Sequence, residues 1–191
     1  VAALVATFYD PLRLAEDLLV IDNLSRGRVS VVVGAGYVPE EFDLYGVPMR
    51  ERVRRVVKVV EVLQGAFSGK PFSYRGRTVE LTPRPHSERL RISLGGGSAA
   101  VGRRAARLGL GLAPASEECW EAYRTERIAL GRRDPGPMVN GPQPQVLLAE
   151  DPERGWEEMG PYLLHESRTY GELRRRGGAT TPYRSVSDLD E

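Results

Sequence analysis

The sequence predicts an α/β protein built on a parallel sheet. Short apolar runs alternate with segments of helical periodicity along most of its 191 residues. Residues 29–33, VSVVV, are almost wholly β-branched, as in a strand covered on both faces. Glycine, proline or aspartate punctuates nearly every junction, which divides the chain into short elements.

Taken in order, Val1–Ala6 is small and apolar throughout and reads as a buried first strand. Asp10 and Pro11 follow, an N-cap and a first-turn proline for a helix whose stripe is Leu12, Ala15, Leu18, Leu19 and then Asp22 to Leu24. The Ser25-Arg26-Gly27 turn closes it, and the second strand, Val29–Val33, ends in Gly34-Ala35-Gly36. YVPEEFDLYGVPM then reads as a polar loop. From Arg50 to Leu63, Val53, Val56, Val57, Val60 and Leu63 fall on one helical face. Residues 64–90 hold several glycines and prolines around a hairpin-like SYRGRTVEL, an excursion from the core. Leu90–Leu94 is a strand, Ala99–Leu108 a helix, Gly109–Ala113 a short strand and Glu117–Leu130 a helix. Gly131–Pro144 reads as loop and Gln145–Ala149 as a fifth strand. The last helix starts at Asp151 or Pro152 and runs to about Arg176, with a break or kink at Gly160-Pro161. Five strands in this alternation fit an open doubly wound sheet or the larger part of an eight-stranded barrel, and periodicity leaves both open.

The totals exclude several classes. A net charge of +1, from 27 basic and 26 acidic residues, gives no bias toward nucleic acid. Arg174-Arg175-Arg176 reads as a solvated helix end. One cysteine, Cys119, rules out an internal disulfide and suits a reducing interior; beside Trp120 it reads as a packed thiol. With two histidines and that thiol, no metal-ligand spacing appears. No apolar run is long enough to cross a bilayer and no leader is evident, so no membrane partner is expected and the expected location is the cytoplasm.

In either architecture a ligand sits at the carboxyl ends of the strands. Three such ends are candidates. In ISLGGGSAAVGRR, residues 92–104, Gly96, Gly97, Ser98 and Ala99 lead into a helix whose first amides favour an anion. The competing reading is a tight turn with Ser98 as N-cap; neither GxGxxG nor GK[ST] is present. Gly34 and Gly36 would let a flat ligand approach the second strand, with Glu40 and Glu41 nearby as acids or as caps of the next turn. Tyr37 and Phe42 line such a pocket or simply pack the loop. Ala2-Ala3 in the first strand fits close strand-to-helix packing. His165, mid-helix, reads as a structural hydrogen-bonded histidine, so no catalytic residue is assigned.

Read together, residues 1–63 resemble the bacterial luciferase-like, flavin-dependent monooxygenases. The family's HPxRxAE is matched by DPLRLAE from Asp10 to Glu16, and its LDxLSxGR by IDNLSRGR from Ile21 to Arg28. The strand ending in GxGY, the PRP closing the excursion, the GGGS turn, AARLG and AEDPERGWEEMGPYLLHE extend the likeness to at least Tyr183.

The resemblance implies a (β/α)8 TIM barrel of which this chain is an internal piece. It begins at what would be the third strand, and the eighth would lie beyond Glu191. Residues 1–191 then form a single partial domain. It further implies that Gly96, Gly97 and Ser98 hold the flavin phosphate. Ala2-Ala3 matches a bulge with a non-proline cis peptide behind the flavin ring, and Gly34 and Gly36 lie along the flavin. In the luciferase itself an arginine between those two positions meets the phosphate, whereas this chain has Ala35, so the phosphate is anchored otherwise or the flavin differs. The implied activity is oxygenation of a small organic substrate by reduced FMN and molecular oxygen, with a separate flavin reductase as partner. The sister branch transfers hydride with the deazaflavin coenzyme F420. Against these stand a non-catalytic barrel fragment acting in assembly and an open-sheet phosphate-ester-binding domain. Uncovered strand edges lead to the expectation of a homo-oligomer.

Overall fold

Asp10 starts the first helix as expected. In a computed structural model, which describes residues 3–138 and 148–178, helix α1 spans Pro11–Ser25. The Asp10 carboxylate accepts the Leu12 and Arg13 amides at 2.9 and 3.2 Å. The helix closes where Arg26 and Gly27 turn left-handed, with φ of 52° and 76°. Before it, strand β1 is only Leu4–Val5, and the chain tightens into a 3-10 turn at Ala6–Phe8. The strand expected over Val1–Ala6 is therefore shorter at its end. The cause is tertiary: the buried Thr7 hydroxyl donates to the Ala35 carbonyl at 2.8 Å, and Arg55 Nε donates to the Thr7 carbonyl at 2.9 Å.

Strand β2, Ser30–Gly34, lies parallel beside β1. The following segment, read as loop, instead forms a short helix α2 at Pro39–Leu44 and a 3-10 turn at Met49–Glu51. Pro39 occupies the first turn, Glu40 and Glu41 favour the positive helix end, and Phe42 is buried beneath. Helix α3 spans Arg52–Ala66 and buries Val56, Val60 and Leu63 of the expected stripe, but Val53 is exposed and Val57 half-buried, and Val59 and Val62 pack in the core instead. The excursion carries the expected hairpin, β3 at Phe72–Tyr74 and β4 at Arg77–Val79. Arg75 and Gly76 both take positive φ, 50° and 73°, which matches the turn to the strand twist.

Strand β5, Arg91–Gly96, helix α4, Ala99–Arg107, strand β6, Gly111–Pro114, and helix α5, Glu117–Ala129, follow. Helices α4 and α5 meet so closely that a Cβ on Gly102 would overlap the Cys119 carbonyl. The fifth strand expected at Gln145–Ala149 falls mostly outside the described residues. Helix α6, Pro152–Arg176, is continuous through Pro161, so of the expected break or kink the break does not occur.

The sheet order is β1-β2-β5-β6, all parallel. Each new strand adds beside the last, whereas a doubly wound sheet reverses its order. This is the succession of a barrel wall, and the fold is of the α/β barrel type. Val31, Val33, Ile92 and Leu94 point into one core with α1, α3 and α4. Val32, Gly34, Ser93 and Gly95 alternate onto the other face and are half-buried.

Candidate functional site

Register places the candidate residues along one edge. Leu4 pairs with Val33, Val33 with Leu94, and Leu94 with Leu112. One residue further toward the carboxyl ends, Val5 pairs with Gly34 and Gly95 with Ala113. At a strand spacing of about 4.8 Å, this makes a shelf of small residues where the sheet meets its loops. A Cβ on Gly34 would find only the Leu4 carbonyl, at 3.9 Å, so that position is open. Gly36 differs. Its φ is 76°, and a Cβ there would press on Val5 at 2.9 Å and Phe42 at 3.1 Å, which accounts for the glycine by packing alone. Ala2 lies outside the described residues, so its peptide bond to Ala3 does too; Ala3 itself is exposed.

The β5–α4 turn is braced from β6. The Ala115 amide donates to the Gly96 carbonyl at 2.9 Å, and the Ser116 hydroxyl donates to the Gly97 carbonyl at 2.5 Å. The Ser98 carbonyl accepts the Val101 and Gly102 amides. The carbonyls are thus occupied, leaving the donors as the available chemistry. Ser98 sits at the N-cap in extended conformation, yet its side chain caps nothing. In α1, α5 and α6 the caps Asp10, Ser116 and Asp151 take up first-turn amides. The amides of Ala99 and Ala100 therefore keep the donor capacity that a helix start leaves over. Two amides, an exposed hydroxyl and the positive helix end form a donor set suited to a phosphate. The set would suit a phosphate-bearing flavin, and Gly34 leaves open space beside it.

Helix α6 contributes what the sequence reading missed. Arg174, expected in solvent, is 8% exposed. Its guanidinium lies over the Tyr37 ring at 5.7 Å and the Tyr170 ring at 5.6 Å, and donates to the Tyr170 hydroxyl at 3.4 Å. The two rings meet edge to face at 6.2 Å. Burial, with the Tyr170 phenol next to it, pushes the Tyr37 hydroxyl up to about 12 despite the Arg174 charge, so it stays neutral. Arg176 pairs with Glu40, and a Cβ on Gly177 would overlap the Tyr37 carbonyl, so the end of α6 seats on the loop after β2. Helical rotation of about 100° per residue sends neighbouring arginines in different directions, a signal the run itself contains.

Other expected residues fall away from this edge. His165 is exposed on α6 rather than packed in a hydrogen-bonded core position. Cys119 is fully buried, and burial pushes its thiol up, consistent with a packed thiol. A concavity of about 710 Å³ opens at the amino ends of β5 and β6, beside Arg91 and Gly111, opposite the shelf. Among the described residues no cluster of acidic, histidine or cysteine side chains could hold a metal, and no helix is long and apolar enough to cross a membrane.

Known proteins share the fold. Among curated relatives, the uncharacterized protein Rv0940c of Mycobacterium tuberculosis is 34% identical over 85 residues, 42% of this chain and 29% of that protein. Among solved structures, monooxygenase RslO1 from Streptomyces bottropensis superposes with a TM-score of 0.69 at 22% identity, over 92% of this chain and 59% of that one. The oxygenating constituent of 3,6-diketocamphane monooxygenase from Pseudomonas putida, solved with FMN, gives 0.64 at 18% identity, over 98% and 61%. An F420-dependent secondary alcohol dehydrogenase, solved with an F420-acetone adduct, gives 0.54 at 18% identity, over 65% and 42%. This chain thus spans less than two thirds of the length of each of these proteins. The sequence profile of the luciferase-like monooxygenases matches residues 1–190, and the chain belongs to that family.

Proposed function

We propose that this chain forms the phosphate-binding side of a flavin-dependent oxidoreductase, a monooxygenase using reduced FMN and molecular oxygen on a small organic substrate. The observation that carries the reading is the β5–α4 turn, whose carbonyls are engaged by β6 while its first amides and the Ser98 hydroxyl remain as donors. A bound flavin would supply the reducing equivalents and the activation of oxygen. The work of this chain is to bind, orient and shelter. Ser98, Ala99 and Ala100 would hold the terminal phosphate, the open Gly34 position would let the ring approach, and the Tyr37–Tyr170 pair would keep water from that edge.

The likeness to an F420-dependent dehydrogenase favours a second reading, hydride transfer with a deazaflavin whose phosphate would use the same donors. Titration with FMN and with F420, followed by visible absorbance and fluorescence, separates the two. The expected result is saturable binding of one of them, weakened about tenfold or more by Ser98→Asp, whose charge opposes a phosphate. Failure to bind either cofactor would sink the proposal for this chain.

A further inference from the structure

We propose that Arg174, reaching from α6 to the β5–α4 turn, is the cation that completes the phosphate site and makes it selective for a phosphorylated flavin. The proposal rests on the flavin reading above and adds to it a residue from a different element.

Placement carries it. A Cβ on Gly97 would lie 3.8 Å from Arg174 Nη2, so the guanidinium stands beside the β5–α4 turn. Gly97 has the room: its other neighbour, the Ala115 Cβ, would be 3.5 Å away. The Tyr37 and Tyr170 rings lie against the guanidinium and orient it. The Arg176–Glu40 pair and the seat of Gly177 on the Tyr37 backbone hold the last turn of α6 in place. Its neighbours in the arginine run, Arg175 and Arg176, are exposed. A guanidinium presents several donors in a fixed plane, and next to a helix start it adds full charge to a partial one. A dianionic phosphate gains from both, whereas the uncharged end of riboflavin gains from neither.

Comparing FMN with riboflavin therefore isolates the effect. Binding to the full chain is measured by flavin fluorescence quenching for wild type, Arg174→Met and Arg174→Lys, with far-UV circular dichroism and melting to verify folding. Arg174→Met should weaken FMN about tenfold, the size of one hydrogen bond to a charged group, and leave riboflavin within about twofold. Arg174→Lys should recover most of the FMN affinity. Equal losses for the two flavins would overturn the proposal, because they would mark Arg174 as a prop for α6. Unchanged FMN affinity would overturn it as well. If FMN binding responds to Ser98→Asp but not to Arg174→Met, the flavin reading stands and only this inference falls. If wild type binds no flavin, both fall.

Discussion

Asp22 should be the costliest single carboxylate to remove. It is fully buried on α1 and accepts three hydrogen bonds from the end of the excursion. The His86 and Ser87 amides donate to Oδ2 at 2.8 and 2.9 Å, and the Ser87 hydroxyl donates to Oδ1 at 2.6 Å. Each bond to a carboxylate contributes about 1.5–3 kcal/mol, but His86 is exposed, so water can replace part of what Asp22→Ala removes. The expected net cost is about 3 kcal/mol, or roughly 6–12 °C in Tm for a chain of this size. Ser87→Ala, which removes only the hydroxyl bond, should cost about 1 kcal/mol. The pH dependence follows from the same bonds. Burial alone would raise the Asp22 carboxyl, but the Ser87 hydroxyl, the two amides and the His86 charge together hold it below its ordinary value. A lowered native pKa means the stabilisation is complete above the unfolded value of about 3.9 and disappears as pH falls through the native one. Urea unfolding of wild type and Asp22→Ala should therefore show a gap at neutral pH that narrows below about pH 4. A gap under about 1 kcal/mol, or one unaffected by acid, would refute the reasoning.

Gly102→Val should destabilise the chain by about 3 kcal/mol or more, read by urea unfolding, since even a Cβ meets the Cys119 carbonyl and backbone cannot yield as a side chain can. Cys119 should react with an aromatic disulfide reagent only after denaturant is added, because it is fully buried and its thiol is held in the protonated form. Gly36→Ala should lower Tm by several degrees, as it forces a side chain into positive φ against Val5 and Phe42.

Much of the wall was legible because local chemistry and tertiary need agree there. The valine run of β2 and the Asp10 cap each read correctly, and of the α3 stripe Val56, Val60 and Leu63 did. The hairpin was visible in its Arg75-Gly76 turn. The glycine-serine turn after β5 also stood out, because three glycines imply a backbone constraint wherever they fall. Elsewhere the deciding bond came from far along the chain. Ala6 leaves the strand because Thr7 is pulled to Ala35 and Arg55, and nothing in VAALVA foretells that. Helix α2 hid inside a proline-bearing loop, although Pro39 followed by Glu40 and Glu41 was a readable start. Arg174 was misread because a run of like charges was treated as one solvated surface rather than three directions around a helix.

The half-buried face of the sheet carries a consequence of its own. A Cβ on Gly95 would meet Val32 Cγ1 at 3.1 Å, and one on Gly111 would meet Ser93 Oγ at 2.6 Å. Neighbouring strands therefore share a single allowance of volume on this face, large opposite absent. A methyl added to Gly95 requires a methyl removed from Val32, and one added to Gly111 requires Ser93 to shrink. Attempts to reshape the floor beneath the shelf must move in such pairs, across strands rather than along them.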